Sequence, residues 1–230
     1  VKTVPPAGVA LLKDSQIDSV ENHRMDPDNP LLPAVFPKHS LFSRYWFNTL
    51  NATVKQFTPD ADSSHFWYDR LGRLVVSQSA RQRSLNQYSY TLYDGLGRII
   101  EVGQLTQTTA ITNEIAKNSV SLSSWIVAAT HMQITHTYYD ATPVNPASFV
   151  QTNLRNRVAG IQYEEKDDGN VSKYQSAIYY SYDVSGNVQS MLYDIQELAG
   201  LKEQYKRIDY DYDLVSGKVN KVYYQKDSAD

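Results

Sequence analysis

The sequence predicts a mainly β protein of antiparallel hairpins joined in one continuous sheet, with one short helical insertion. Three observations carry that expectation. Tyrosine dominates the aromatic residues, with 18 Tyr against 6 Phe and 3 Trp in 230 residues; its ring packs on a pleated surface while its hydroxyl stays hydrated or bonded. A Tyr-Asp-x-x-Gly pattern recurs along the chain. The flanks of that pattern alternate with period two, placing Ile208, Tyr210 and Tyr212 on one face and Arg207, Asp209 and Asp211 on the other. Tyr174, Ile178, Tyr180 and Tyr182 form a similar stripe.

The repeat is clearest at Tyr68-Asp69-Arg70-Leu71-Gly72-Arg73-Leu74 and Tyr93-Asp94-Gly95-Leu96-Gly97-Arg98-Ile99. It recurs at Tyr182-Asp183-Val184-Ser185-Gly186-Asn187-Val188, and at Tyr212-Asp213 with one extra residue before Gly217. Phe47-Asn48 to Asn51 is a degraded copy, with Asn48 for Asp and Asn51 for Gly. Asp at position i and Gly at i+3 suit a type I turn: the carboxylate accepts from the backbone two residues on, and Gly takes the positive φ that returns the chain to a strand. Asn in the Gly slot is tolerated because Asn visits the left-handed region. Tyr139-Asp140 opens another copy, but Thr142-Pro143 is expected to destroy its turn. A further hairpin without the motif is expected from Val158 to Glu165, a turn at Asp167-Asp168-Gly169-Asn170, and Val171 to Tyr182.

Composition excludes several functions. Lys+Arg is 22 against Asp+Glu 25, which lacks the basic surplus of an electrostatic nucleic-acid binder. No apolar run approaches the ~18 residues of a membrane span, and Val1 to Ala10 shows no signal-peptide pattern. The absence of cysteine removes disulfides, thiolate metal sites and cysteine nucleophiles together.

The repeats, with doubled tyrosines at Tyr180-Ser181-Tyr182-Asp183 and Tyr210-Asp211-Tyr212-Asp213, resemble the YD repeats of the Rhs (rearrangement hotspot) family, Tyr-x-Tyr-Asp-x-x-Gly-Arg-Leu. The resemblance is strongest from Tyr45 to about Gln104 and weaker from Tyr138 to Tyr224. It implies a continuous curved sheet that spirals into a hollow shell. In bacterial toxins, including the B and C components of insecticidal toxin complexes, such a shell encloses a toxic C-terminal domain; in teneurins it belongs to an adhesion ectodomain. The resemblance therefore implies a secreted or cell-surface location. It also implies further YD repeats of the parent chain as partners, with an enclosed toxin domain or a surface glycan beside them. The Asp-Pro-x-Gly region and autoproteolytic aspartates that close the bacterial shells are missing, since Asp26-Pro27-Asp28-Asn29-Pro30 is only an echo at the wrong end. Self-cleavage is not carried over.

Outside the repeats, residues 1–43 hold most of the prolines and read as an irregular arm anchored by Leu31 to Phe36; residues 44–230 read as the repeat sheet. Within it, about 109–129 carries partial helical spacing through Ile111, Ile115, Val120, Leu122, Trp125, Ile126 and Ala129. Ser121 is the expected cap of a helix that packs on a sheet face. Such an insertion accounts for the wide spacing from Tyr93 to Tyr139. The end at Asp227-Ser228-Ala229-Asp230 lacks a closing element, so either a piece of a longer chain or edge-mediated packing is expected.

Signs of chemistry are few. His131 and His136 are five apart, which puts them on opposite faces of a strand and argues against a metal site. Glu164-Glu165 with Asp167-Asp168 could supply a glycosidase pair, but they read as a solvated hairpin tip. Asp209, Asp211 and Asp213 could meet calcium or pair with Arg207, Lys206 or a cross-strand cation. No catalytic residue, metal or cofactor is expected. Asn48, Asn51, Tyr68, Asp69, Gly72, Arg73, Tyr93, Asp94, Gly97, Arg98, Tyr182, Asp183, Gly186, Tyr212, Asp213 and Gly217 are expected to be structural turn residues. If Trp46 and Trp67 lie outward, they would stack sugars. The expected function is a non-catalytic wall; the alternatives are a carbohydrate-binding module and, behind it, a glycoside hydrolase.

Overall fold

The computed structural model describes residues 2–26, 29, 39–144, 149–167, 169 and 173–226. Thirteen strands form one antiparallel sheet in chain order, each bonded to its sequence neighbours. They are β1 (Lys2–Thr3), β2 (Ser43–Phe47), β3 (Thr53–Thr58), β4 (Asp62–Tyr68), β5 (Leu74–Gln78), β6 (Gln87–Tyr93) and β7 (Ile99–Thr106), followed by β8 (Thr130–Tyr139), β9 (Val158–Lys166), β10 (Ser176–Tyr182), β11 (Val188–Ile195), β12 (Tyr205–Tyr212) and β13 (Val219–Tyr224). A meander of this kind follows from short local turns, because each hairpin places its next strand beside its last. Among the described residues the sheet is open: β13 bonds only to β12, and β1 only to β2.

Register separates the two faces, since residues paired across antiparallel strands share one. His136 pairs with Gln162, Gln162 with Ala177, Ala177 with Asp194 and Asp194 with Tyr205. That same face holds the cores. Trp67, Val76, Tyr88, Tyr90 and Leu105 are covered by two helices between β7 and β8, α3 (Asn113–Lys117) and α4 (Ser119–Val127). Further along, Tyr179 and Leu192 are covered by Phe149 and Tyr174.

The helices show how local chemistry overrides a periodicity reading. Thr112 caps α3 through Ile115 N–H. Asn118 rather than Ser121 caps α4, its side chain accepting from the backbone of Val120 and Ser121; Asn is as good an N-cap as Ser and stands three residues earlier. Two helices lie where no insertion is expected. One, α2 (Ala80–Ser84), is nucleated by a reciprocal Ser79–Gln82 capping box. The other, α1 (Asp14–Met25), lies in the proline-rich arm and buries no residue, so no apolar stripe marks it. The proposed anchor Leu31 to Phe36 lies outside the described residues, as do Asp168, Asn170 and the last four residues.

Candidate functional site

The repeat turns form the most elaborate local chemistry in the chain. In the turn at Asp69, the Asp69 N–H donates to Arg73 O and the Gly72 N–H to Asp69 O. Asp69 Oδ1 accepts from the backbone N–H groups of Leu71 and Arg73, both at 2.9 Å. Asp69 Oδ2 takes Arg73 Nε at 2.7 Å. Gly72 supplies the left-handed φ of +77°. The turn at Asp94 repeats every one of these bonds with Leu96, Gly97 and Arg98. Desolvation alone would raise the Asp94 carboxyl pKa, yet the Arg98 guanidinium and the turn amides hold it below its usual range. Asp183 keeps the design with Asn187 in the arginine position. Asn48 and Asn51 keep the turn with amides alone, Asn51 at φ +60°. Asp213 absorbs its extra residue through a Gly217 N–H to Asp213 O bond across four residues.

The motif tyrosine bonds to the preceding repeat rather than to its own turn. Tyr68 Oη donates to Thr53 O, Tyr93 Oη to Leu74 O, Tyr182 Oη to Val158 O and Tyr212 Oη to Val188 O, all at 2.8 Å. Burial pushes the pKa of each of these hydroxyls up, so each stays a donor. The motif arginine completes the link in the forward direction: Arg73 lies 4.5 Å over the Tyr93 ring and Arg98 4.1 Å over Tyr139. Removing one hydroxyl should cost about 1 kcal/mol, the net value of one such bond. Tyr93→Phe is therefore expected to lower the urea midpoint without changing the denaturant slope, with Tyr68→Phe, Tyr182→Phe and Tyr212→Phe behaving alike.

The same pattern corrects the reading of Tyr139-Asp140, whose turn is not destroyed. Asp140 N–H donates to Arg157 O, and Asp140 Oδ1 accepts from Asn156 N–H. Asn156 takes the glycine role at φ +59°, and Arg157 lies over the Tyr182 ring. Val158 O receives the Tyr182 hydroxyl, as Leu74 O receives that of Tyr93. So Asn156-Arg157-Val158 is the second half of a repeat opened by residues 141–155. Register supports the equivalence. In all six copies pairing slips once just after the turn, leaving Val54, Val75, Ile100, Ala159, Gln189 and Asn220 as the extra, bulged residues.

A second polar grouping lies on the covered face, where His131 and His136 fall together instead of on opposite faces. His136 pairs with Glu101 and His131 with Leu105, four residues apart on β7, because β8 carries an irregularity at Gln133, φ +52°. His136 Nδ1 stands 3.4 Å from Glu101 and its Nε2 3.8 Å from Glu164. Tyr90 Oη donates to Glu101 at 2.5 Å, and His131 Nδ1 is 3.4 Å from Asp167. Glu164, expected in a solvated tip, is buried; Glu165 and Asp167 are exposed. Among the described residues no group of three or more His, Asp or Glu could hold a metal ion. Asp209 pairs with Arg207, at 2.7 Å.

This grouping sets a pH dependence. Glu101, despite desolvation, is held below its usual pKa by His136 and Tyr90. Its contribution is present above its unfolded value and lost as pH falls through the folded one. Glu101 raises the pKa of His136, whose contribution is full below about 6.5 and lost as pH rises through the raised value. Burial, then Arg83 and Lys55, push His65 the other way, so the test is differential. His136→Gln should lose more stability at pH 5.5 than at pH 8, measured by thermal melts.

The two tryptophans flagged in the sequence differ in setting. Trp67 packs edge-on to His65 and Tyr88 beside the core. Trp46 lies between Arg44 and Lys55, at 4.9 and 5.1 Å from its ring. Sequence reading missed the inter-repeat partners of Tyr and Arg, although the doubled motif contained both residues.

No family model matches the chain, and no curated protein matches it. Among solved structures, it is similar to the crystal structure of TcdB2-TccC3-TEV, with 10% identity over 90% of this chain and 8% of that one, at a TM-score of 0.49. It is also similar to TcdB2-TccC3 without the hypervariable C-terminal region (12% identity, 89% and 9% coverage, TM-score 0.40). A third similar structure is the Photorhabdus luminescens Tc holotoxin pore with a mutated TccC3 (10% identity, 90% and 13% coverage, TM-score 0.24). The chain spans only 8% to 13% of the length of these proteins. At that identity and score the likeness adds no argument to those drawn from the residues.

Proposed function

We propose that this chain is a non-catalytic wall segment of a larger secreted Rhs-type protein, a β-scaffold that encloses or presents a C-terminal toxin or effector. The observation that carries the reading is the tyrosine bond to the preceding repeat, made by Tyr68, Tyr93, Tyr182 and Tyr212. A sheet built this way extends by adding equivalent modules, and its specialised chemistry is spent on continuity between them. Val222 and Tyr224 are exposed apolar residues on β13, which among the described residues pairs only with β12; such a strand favours association with another and supports the same reading. Further repeats of the parent chain are the natural occupants. The carbohydrate reading has less support: Trp46 and Trp67 already have protein partners.

The test is association of the 230-residue chain through that edge. Light scattering should show concentration-dependent self-association that the double substitution Val222→Lys, Tyr224→Lys suppresses. A clean monomer at every concentration, with a high melting temperature, would count against a wall that depends on neighbouring repeats.

A further inference from the structure

A cavity of about 400 Å³ opens between α3, α4 and the sheet where the Asp69 turn meets β6. That is within the range of small-molecule sites, ~300–1,000 Å³. Its floor is apolar: Val75, Leu122 and Ile126 are buried, and Leu92 lines the same wall. The mouth is cationic. Asp69 is the only carboxylate among the described lining residues, and its oxygens are taken by the turn amides and Arg73. Arg70 and Lys117 are exposed at the rim and form no salt bridge among the described residues; Lys117 also feels the charge of Glu114, which lies outside the lining. The mouth therefore keeps positive charge beside a hydrophobic floor.

We propose that this cavity binds an amphiphilic anion, an aliphatic carboxylate whose chain lies on Leu122 and Ile126 and whose head meets Arg70 and Lys117. Charge complementarity selects the anion over a neutral or cationic amphiphile, and the apolar floor selects a chain over a hydrophilic anion. A second copy of this chain is a less suitable occupant, because the opening is a hole of small-molecule size rather than a flat face. The site is independent of the wall reading: a wall segment could carry it or lack it. Occupancy would bridge α4 to the second repeat turn and raise the stability of the folded chain by mass action.

Decanoate below its micelle-forming concentration is the probe, with decan-1-ol and decyltrimethylammonium as head-group controls. Calorimetry should show one saturable decanoate site, and decanoate should raise the melting temperature. Both controls should bind at least tenfold more weakly. Arg70→Glu with Lys117→Glu should weaken decanoate at least tenfold while leaving the unliganded melting temperature in place, because both residues are exposed. Ser123→Trp, at the exposed lip of the cavity, should abolish uptake by filling the space. Absence of saturable decanoate binding overturns the proposal, as does equal affinity for decan-1-ol or indifference to the charge reversal. Self-association abolished by Ser123→Trp without decanoate uptake would assign the opening to a second copy and overturn it equally.

Discussion

Trp125→Ala should destabilise the protein by about 3–5 kcal/mol, the range for emptying a buried aromatic site. Trp125 is 6% exposed and meets Tyr88 edge-on with ring centroids 5.2 Å apart. Its indole N–H donates to Thr109 O at 2.8 Å, and Gln107 Nε2 donates to Trp125 O. One residue thus fixes α4 to the sheet by packing and ties both ends of the β7–β8 connection by hydrogen bonds. The loss is a cavity plus an unpaired carbonyl, and for a chain of this length it corresponds to a fall of roughly 10 °C in melting temperature. Trp125→Phe should recover most of the packing but not the bond to Thr109. Thermal melts of the two variants would separate the contributions, and an unchanged melting temperature in Trp125→Ala would mean that the helices do not dock as described.

Asp194→Ala is expected to cost about 3 kcal/mol, in keeping with loss of hydrogen bonds to a buried charged group. Asp194 is 1% exposed, on the covered face of β11. Its carboxylate accepts from Tyr174 Oη at 2.6 Å, Gln204 Nε2 at 2.8 Å and Gln196 Nε2 at 3.0 Å. Burial, and after it Asp194 and Tyr179, push the Tyr174 hydroxyl pKa up, so Tyr174 remains a donor that needs an acceptor. Among the described residues, removing Asp194 leaves it only Tyr179 Oη, 3.0 Å away. Asp194→Asn keeps an acceptor and should restore about half of the loss. Asp211→Ala, an exposed residue on the same face of the next strand, should stay within about 0.5 kcal/mol of the parent. Equal denaturant midpoints for Asp194→Ala and Asp211→Ala would refute the role given to Asp194.

The contrast between these residues shows what the sequence could reveal. Asp69, Gly72, Arg73 and their counterparts at 94–98 are legible because a type I turn is closed by neighbours in sequence. Asn48 and Asn51 are legible because amides imitate the same geometry. Tyr139-Asp140 is not, because its closing residues Asn156 and Arg157 stand sixteen and seventeen positions beyond Asp140. The pairing of His131 with His136 is hidden for a related reason: strand alternation predicts faces only where register is unbroken, and Gln133 breaks it. Helix α1 lacks an apolar stripe and so gave periodicity nothing to detect. The roles of Tyr93 and Arg73 are intermediate, since the residues are conspicuous but their partners lie a hairpin away.

The opened repeat at Tyr139 also bears on how many polypeptides the sheet requires. Its defining bonds join Asp140 to Asn156 and Arg157, while Gln151 Nε2 donates to Ala159 O and Tyr180 O. The Asp140 bonds to Asn156 and Arg157 join the two sides of the 141–155 insertion directly. A nick there would leave two fragments, each carrying complementary halves of one turn and adjoining strands. Such fragments should reassemble noncovalently, so that insertion is a natural seam for splitting the sheet or for grafting a foreign domain into it.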